Sequence, residues 1–421
     1  MKVEPWLLRA ARLHPRREAL RSARGSLTYD ELAERALRAA TTLPRDGGWI
    51  GIALPAGEDF VVALHACLLR GCVAVPVDLR LGERERALVT SRCVRVVEQP
   101  LREPARRAWS TRRPLEQTAI VVHTSGTSGP PKPVELTYGN WLWSALGAHA
   151  AMGLRGDERW LCALPLSHVG GLSILMRSAI YATTAIVHER FDADAMLAAL
   201  RDDATLVSLV PTTLARLLDA GLDHPPALRC ALIGGAPIPP ALLERARAAG
   251  VPTMQTYGLT ETCSQATTDG RPLFCTTVAV APDGEILVTG PTVAGWAGSN
   301  RPVLRTGDLG AIDADGLLHV TGRKADTIVT GGENVAPTEV EAVLAEHPAV
   351  AQAAVHGRPD PEWGEAIVAK VVLREGAAPA DGELREHCRA RLAPYKVPKS
   401  FEVVDALPRT RSGKLLRREL T

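Results

Sequence analysis

The 421 residues exceed what one compact core holds, and a prior of about 150 residues per domain points to two or three units. Hydrophobic residues make up 46% and charged residues 23%, which describes an ordinary globular chain and excludes wholesale disorder. Lys plus Arg number 49 against 47 Asp plus Glu, so the net charge of +2 gives no electrostatic reason to expect nucleic acid or an anionic membrane as partner.

The first residues, "MKVEPWLLRAARLHPRREAL", have a short apolar run broken by Arg9, Arg12 and Pro15, unlike the continuous apolar centre of a secretory signal. No stretch approaches the roughly 18 apolar residues needed to span a bilayer, and a cytoplasmic location is expected. The eight cysteines contain no C-x-x-C pair, so packed, reduced thiols are expected rather than a zinc site or a disulfide framework.

In chain order, Thr28 and Glu31 form a capping-box pair ahead of Leu32, Ala36, Leu37 and Ala40 at helical spacing. Residues 49–55 read as a buried strand, 58–71 as a helix and 72–78 as a second strand. That order is a parallel crossover unit whose sheet needs helices on both faces. The alternation continues with strands expected at 160–166, 184–189, 205–211 and 228–237 and helices at 194–202 and 212–221. From about residue 278, "VAVAPDGEILVTG" and "DLGAIDADGLLHVTGR" are short strands joined by Asp-Gly turns. After Arg323 come a strand, a helix capped by Thr338 with Glu341, strands at 350–356 and 366–373, and a helix near 382–392. The expected fold is α/β: a large N-terminal domain (1–323) of parallel-rich sheets layered with helices plus a β-rich section, then a small α+β C-terminal domain (326–421).

"HTSGTSGPPKP" follows the apolar run "TAIVV". The Walker A pattern G-x-x-x-x-G-K-[ST] fails on both sides of Lys132, where prolines stand, which excludes a P-loop kinase. Small residues, hydroxyls and a cation still fit a phosphate-gripping loop, and a polar turn fits them equally.

Seven segments in one order resemble the adenylate-forming superfamily of acyl-CoA synthetases, adenylation domains and luciferases: "TSGTSGPPKP", "LPLSHVGGLS", "GGAP", "YGLTETCSQ", "RTGDLG", "GRKADTIVTGGENVAPTEVE" and "PRTRSGKLLR". They span nearly the whole chain. The resemblance implies ATP, Mg²⁺ and CoA as cofactor and co-substrates. It implies that Thr124, Ser125, Thr127, Ser128 and Lys132 hold the β and γ phosphates, that Tyr257 stacks on adenine beside Gly234, Gly235 and Ala236, and that Thr260 contacts the α-phosphate. Glu261 is implied as the Mg²⁺ ligand, Asp308 as the ribose ligand with Arg323 assisting, His168 as the acyl-site gate, and Lys414 as the cation of the first chemical step. Gly331 and Gly332 are implied to flank the pantetheine tunnel. Pro133 stands where the superfamily usually has glycine, and Ala325 where relatives carry a polar hinge residue.

"ETCSQ", "GGENVAP" and the compact length resemble, within that superfamily, the o-succinylbenzoate-CoA ligases of menaquinone biosynthesis. The implied activity joins an acid to CoA through an acyl-adenylate, releasing AMP and pyrophosphate; another aryl- or fatty-acid ligase, a carrier-linked adenylation domain or a non-catalytic homologue are the alternatives. Arg177 interrupts the apolar run "GGLSILMRSAIYATTAIV", so it either snorkels to the surface or meets an anion. In the second case the aromatic carboxylate of the diacid is its partner, with Ser264 nearby. The expected partners are a small carboxylic acid, ATP and CoA, with no nucleic acid and no membrane insertion, and a homodimer is left open.

Overall fold

The computed structural model describes residues 1–45, 47–101, 111–124, 131–296, 300–380, 382–409 and 415–420. The chain divides into two compact units, the first built from residues 1–235, 245–278 and 288–304 and the second from residues 236–244, 279–287 and 305–421.

The first unit starts as its capping signal requires. The Thr28 side chain accepts from Glu31 N, the Glu31 carboxylate accepts from Thr28 N at 2.8 Å, and helix Tyr29–Ala40 follows. Helix Glu58–Arg70 crosses between parallel strands Trp49–Ile52 and Val73–Pro76, and ends at Gly71 in the left-handed conformation. These strands belong to a five-stranded sheet ordered Cys93–Val97, Trp49–Ile52, Val73–Pro76, Thr118–Thr124, Lys132–Thr137, in which only the last pairing is antiparallel.

A nine-stranded sheet runs Arg271–Pro272, Thr267–Thr268, Thr253–Tyr257, Cys230–Ile233, Leu206–Leu209, Arg159–Cys162, Thr184–Val187, Glu18–Ser22, Gly25–Thr28. From Thr253–Tyr257 to Glu18–Ser22 every pairing is parallel. Central strands such as Leu206–Leu209 and Cys230–Ile233 are buried at every residue, which is why they read as unbroken apolar runs rather than as alternation.

In the second unit, strands Leu304–Ile312 and Leu318–Arg323 pair antiparallel. Beyond them lie the hairpin Ile328–Thr330 with Glu333–Val335, helix Pro337–Ala345, the long hairpin Val350–Asp360 with Gly364–Leu373, helix Glu383–Arg389 and the parallel strand Ser400–Val403. Their core contains Val340, Leu344, Val355, Ile367, Val371 and Cys388, all fully buried. The expected Thr338–Glu341 cap is not formed. Ala336 is the N-cap, Thr338 Oγ1 bonds the Thr321 carbonyl, and Glu341 is taken by Arg417 across the fold. An ion pair with a guanidinium outcompetes a local cap that water can replace.

No helix among the described residues is long and apolar enough to cross a membrane.

Candidate active site

The glycine-serine run joins two antiparallel strands, with Thr124 opposite Lys132 in register. Lys132 therefore opens a strand and not the helix that follows a Walker loop. Thr124 Oγ1 donates to the Lys132 carbonyl at 3.4 Å, and Lys132 itself is exposed. Pro133 lies on the edge strand of its sheet, where a missing N–H is tolerated. Ser125, Thr127, Ser128 and Lys414 lie outside the described residues.

Gly234 follows strand Cys230–Ile233, and Tyr257 ends the adjacent parallel strand Thr253–Tyr257. Both stand at carboxyl ends of the sheet, where open α/β folds bind ligands. A Cβ at Gly234 would meet Thr256 Cγ2 at 2.6 Å and the Thr256 carbonyl oxygen at 2.8 Å, so this close approach of the two strands needs glycine. Gly235 follows with φ +80°.

Thr260 and Glu261 occupy the 3₁₀ turn Thr260–Thr262. Both are half-buried, and the Glu261 carbonyl accepts from Ala294 N at 2.8 Å. The next two residues, Cys263 and Ser264, have φ +53° and +91°, conformations that side chains seldom adopt and that concentrate at functional sites. His168 is the N-cap of helix Val169–Tyr181; it is exposed, with Nε2 4.0 Å from Asp78 Oδ2. Burial raises the pKa of Asp78, but hydrogen bonds from Arg80 outweigh it and hold the carboxyl below its ordinary value.

Arg177 is 1% exposed, which overturns the surface alternative. Its Nη2 donates to Ser144 Oγ at 3.2 Å, its guanidinium lies 5.6 Å from the centroid of the Trp160 ring, and Nε and Nη1 have no hydrogen-bond partner among the described residues. Burial pushes its pKa down, and the groups that act on it among the described residues include no carboxylate. The hydroxyl it meets is that of Ser144. Ser144 Oγ in turn donates to the Cys263 carbonyl at 2.7 Å, one residue before Ser264.

The second unit holds Ala236, Asp308, Arg323, Gly331 and Gly332. Asp308 and Arg323 are cross-strand neighbours, with Arg323 Nε 2.8 Å from Asp308 Oδ1, and the Asp308 side chain is 8% exposed. Gly331 and Gly332 form the two-residue loop of a hairpin, both at positive φ, as the tight turn demands. The residues flanking Ala325 are both engaged: Lys324 Nζ lies 2.8 Å from Asp283 Oδ2 and 3.2 Å from Glu285 Oε2, and Asp326 Oδ2 lies 3.0 Å from Arg417 Nε. Burial opposes ionisation of Glu285, yet the Gly307 amide, Arg305 and Lys324 together hold its pKa below the ordinary value.

Sequence reasoning missed Ser144, the Asp283–Glu285–Arg305 cluster and the Arg417 brace. A serine in an apolar helix and an arginine three residues after a candidate lysine carry no local pattern, and only long-range pairing reveals them.

Residues 7–97 and 92–295 match the family model for an AMP-binding enzyme, and residues 339–414 match that for an AMP-binding enzyme C-terminal domain. The 2-succinylbenzoate–CoA ligase of Bacillus subtilis is 38% identical, the alignment covering 99% of this chain and 97% of that one. The structure of o-succinylbenzoate CoA synthetase from Bacillus subtilis in complex with its acyl-adenylate intermediate superposes with a TM-score of 0.91 at 36% identity, covering 100% of this chain and 98% of that one. The same enzyme in complex with ATP and magnesium ion gives 0.91 at 35% identity, covering 100% of both chains.

Proposed function

The chain belongs to the AMP-binding enzyme family, and from that premise we propose that it joins 2-succinylbenzoate to CoA at the expense of ATP, in menaquinone biosynthesis. An oxygen of the acid's succinyl carboxylate attacks the α-phosphorus, the α–β phosphoanhydride bond breaks, and pyrophosphate leaves. The CoA thiolate then attacks the acyl carbon, forming the C–S bond and releasing AMP.

The roles follow the chemistry of each residue. Thr124, Ser125, Thr127, Ser128 and Lys132 grip the β and γ phosphates with hydroxyls and a cation. Gly234, Gly235 and Ala236 let the backbone approach the purine, on which Tyr257 stacks. Asp308 accepts from the ribose hydroxyls, with Arg323 Nε 2.8 Å from its Oδ1. Thr260 contacts the α-phosphate, where Lys414 stabilises the charge that builds as the carboxylate attacks; one such contact typically contributes about 10²–10³ in rate.

Magnesium fits the residues present. Glu261 offers one carboxylate, and the described residues contain no group of three or more His, Cys, Asp or Glu that could hold a metal. A cation that takes most of its ligands from phosphate and water needs no more than that, and when bound it supplies charge neutralisation between phosphates.

Residues 1–323 serve as the adenylation domain and 326–421 as a mobile domain carrying Lys414, with Ala325 as hinge and Gly331 and Gly332 beside the pantetheine arm. His168 gates the acyl site. The enzyme works in the cytoplasm, and a homodimer is a further proposal that light scattering tests.

The observation that carries the choice of acid is Arg177: a buried guanidinium with two unpartnered nitrogens is costly unless an anion arrives, and this substrate brings a second carboxylate that is not activated. Ser264 lies next to the same hydrogen-bonded chain. Incubation with ATP, Mg²⁺, CoA and a panel of 2-succinylbenzoate, benzoate, and short and long fatty acids, read by mass spectrometry, tests the assignment. A thioester of 2-succinylbenzoate alone is expected. Turnover of a different acid in preference discards the substrate, and the absence of any thioester or adenylate discards the ligase.

A further inference from the structure

Ser144 sits on helix Tyr138–Met152, and Arg177 sits on helix Val169–Tyr181 packed beside it. Each is 1% exposed. A hydroxyl has one proton and two lone pairs. The proton of Ser144 goes to the Cys263 carbonyl at 2.7 Å, so what it presents to Arg177 Nη2 at 3.2 Å is an acceptor. It has no proton left for a ligand and can influence one only through its two partners.

Those partners belong to two different segments, a turn and a helix. Cys263, at φ +53°, begins the strained pair that follows Glu261 by two residues, and its carbonyl is held by Ser144. Arg177 has its Nη2 edge occupied, while Nε and Nη1 are buried without a partner among the described residues. Without the hydroxyl, the guanidinium is held on one side only by the Trp160 ring 5.6 Å away, which does not fix its rotation.

We propose that Ser144 is a positioning residue for acid selection: by accepting from Arg177 and donating to Cys263, it locks the guanidinium with Nε and Nη1 turned to the substrate's second carboxylate and ties that lock to the turn carrying Thr260 and Glu261. The proposal rests on the reading that Arg177 receives this carboxylate. Ser144→Ala removes both bonds; Ser144→Cys keeps most of the volume and little of the acceptor strength, and guards against a packing artefact.

The test compares kcat/KM for 2-succinylbenzoate with that for 4-oxo-4-phenylbutanoate, which has the activated carboxylate and lacks the one on the ring. Both Ser144 variants are expected to lose about tenfold in the ratio, equivalent to about 1.4 kcal/mol. An equal fall for both acids makes Ser144 a packing residue and overturns the proposal, as does an unchanged ratio. Arg177→Leu in the same assay separates the two levels. If it keeps the wild-type ratio, the reading of Arg177 fails; if it loses the ratio while the Ser144 variants keep it, only the positioning role fails.

Discussion

Replacing Gly258 with alanine places a methyl group where the structure has none to spare. The added Cβ would stand 1.7 Å from the Ser264 carbonyl oxygen and 3.0 Å from Ala266 N, both backbone atoms. Relief to an ordinary contact of 3.4 Å needs a shift of about 1.7 Å in the loop that carries Thr260 and Glu261. Overpacking of this kind costs about 1–3 kcal/mol, and the upper end applies because no side chain can swing away. For a unit of this size the unfolding midpoint should drop by roughly 6–12 °C. The rate should fall further, by about 10²-fold, since a displacement near 1 Å misplaces reacting groups. Thermal unfolding by circular dichroism and pyrophosphate release measure the two effects. Gly156→Ala is the control, its nearest neighbour being Arg17 Nη1 at 3.9 Å. A Gly258→Ala enzyme with wild-type midpoint and wild-type pyrophosphate release would refute the steric argument and, with it, the claim that this turn places the site.

Burial lowers the pKa of His65 from 6.5 to about 4, so its contribution to stability is present above pH 6.5 and is lost as the pH falls towards 4. Between those values the unfolded chain binds one proton more than the folded one, with a slope of up to about 1.4 kcal/mol per pH unit, and His65→Leu should flatten urea-denaturation midpoints between pH 7 and 5. Arg417→Met leaves Glu341 and Asp326 without their shared cation, and for a brace 21% exposed the loss should be about 1–3 kcal/mol, seen as faster proteolysis within residues 305–421; an unchanged cleavage rate would refute the brace. Chelation with EDTA should stop pyrophosphate release, and added Mg²⁺ should restore it. The unfolding midpoint without nucleotide should not move, because the described residues hold no structural metal cluster.

Periodicity located the elements wherever a strand or helix draws on its own neighbours. The Thr28–Glu31 cap formed because both partners lie within one turn and nothing else competes for them. The equivalent pair Thr338 and Glu341 failed because a guanidinium 76 residues further on claims the carboxylate, and no local pattern announces such a partner. Arg177 was legible as a dilemma, a cation in an apolar run, and its burial resolves it. Ser144 and the left-handed Cys263 and Ser264 were not legible, because positive φ on a side-chain residue reflects tertiary forcing and leaves no signature in composition.

The N-terminal hairpin of the nine-stranded sheet joins its neighbour late. Strand Glu18–Ser22 pairs in parallel with Thr184–Val187, and Thr184 Oγ1 bonds the Glu18 carbonyl across 166 residues. At roughly 5–20 residues per second on the ribosome, those residues take about 8–33 s to appear. For that interval Ala19 and Leu20, almost fully buried in the finished sheet, have no permanent shelter, and the strand's open edge is a template for the wrong partner. Birth order thus sets a demand that equilibrium stability does not reveal: this strand waits for a partner 166 residues away, and substitutions at Ala19 or Leu20 that are harmless to the finished enzyme can still govern how much of it is recovered from the cell.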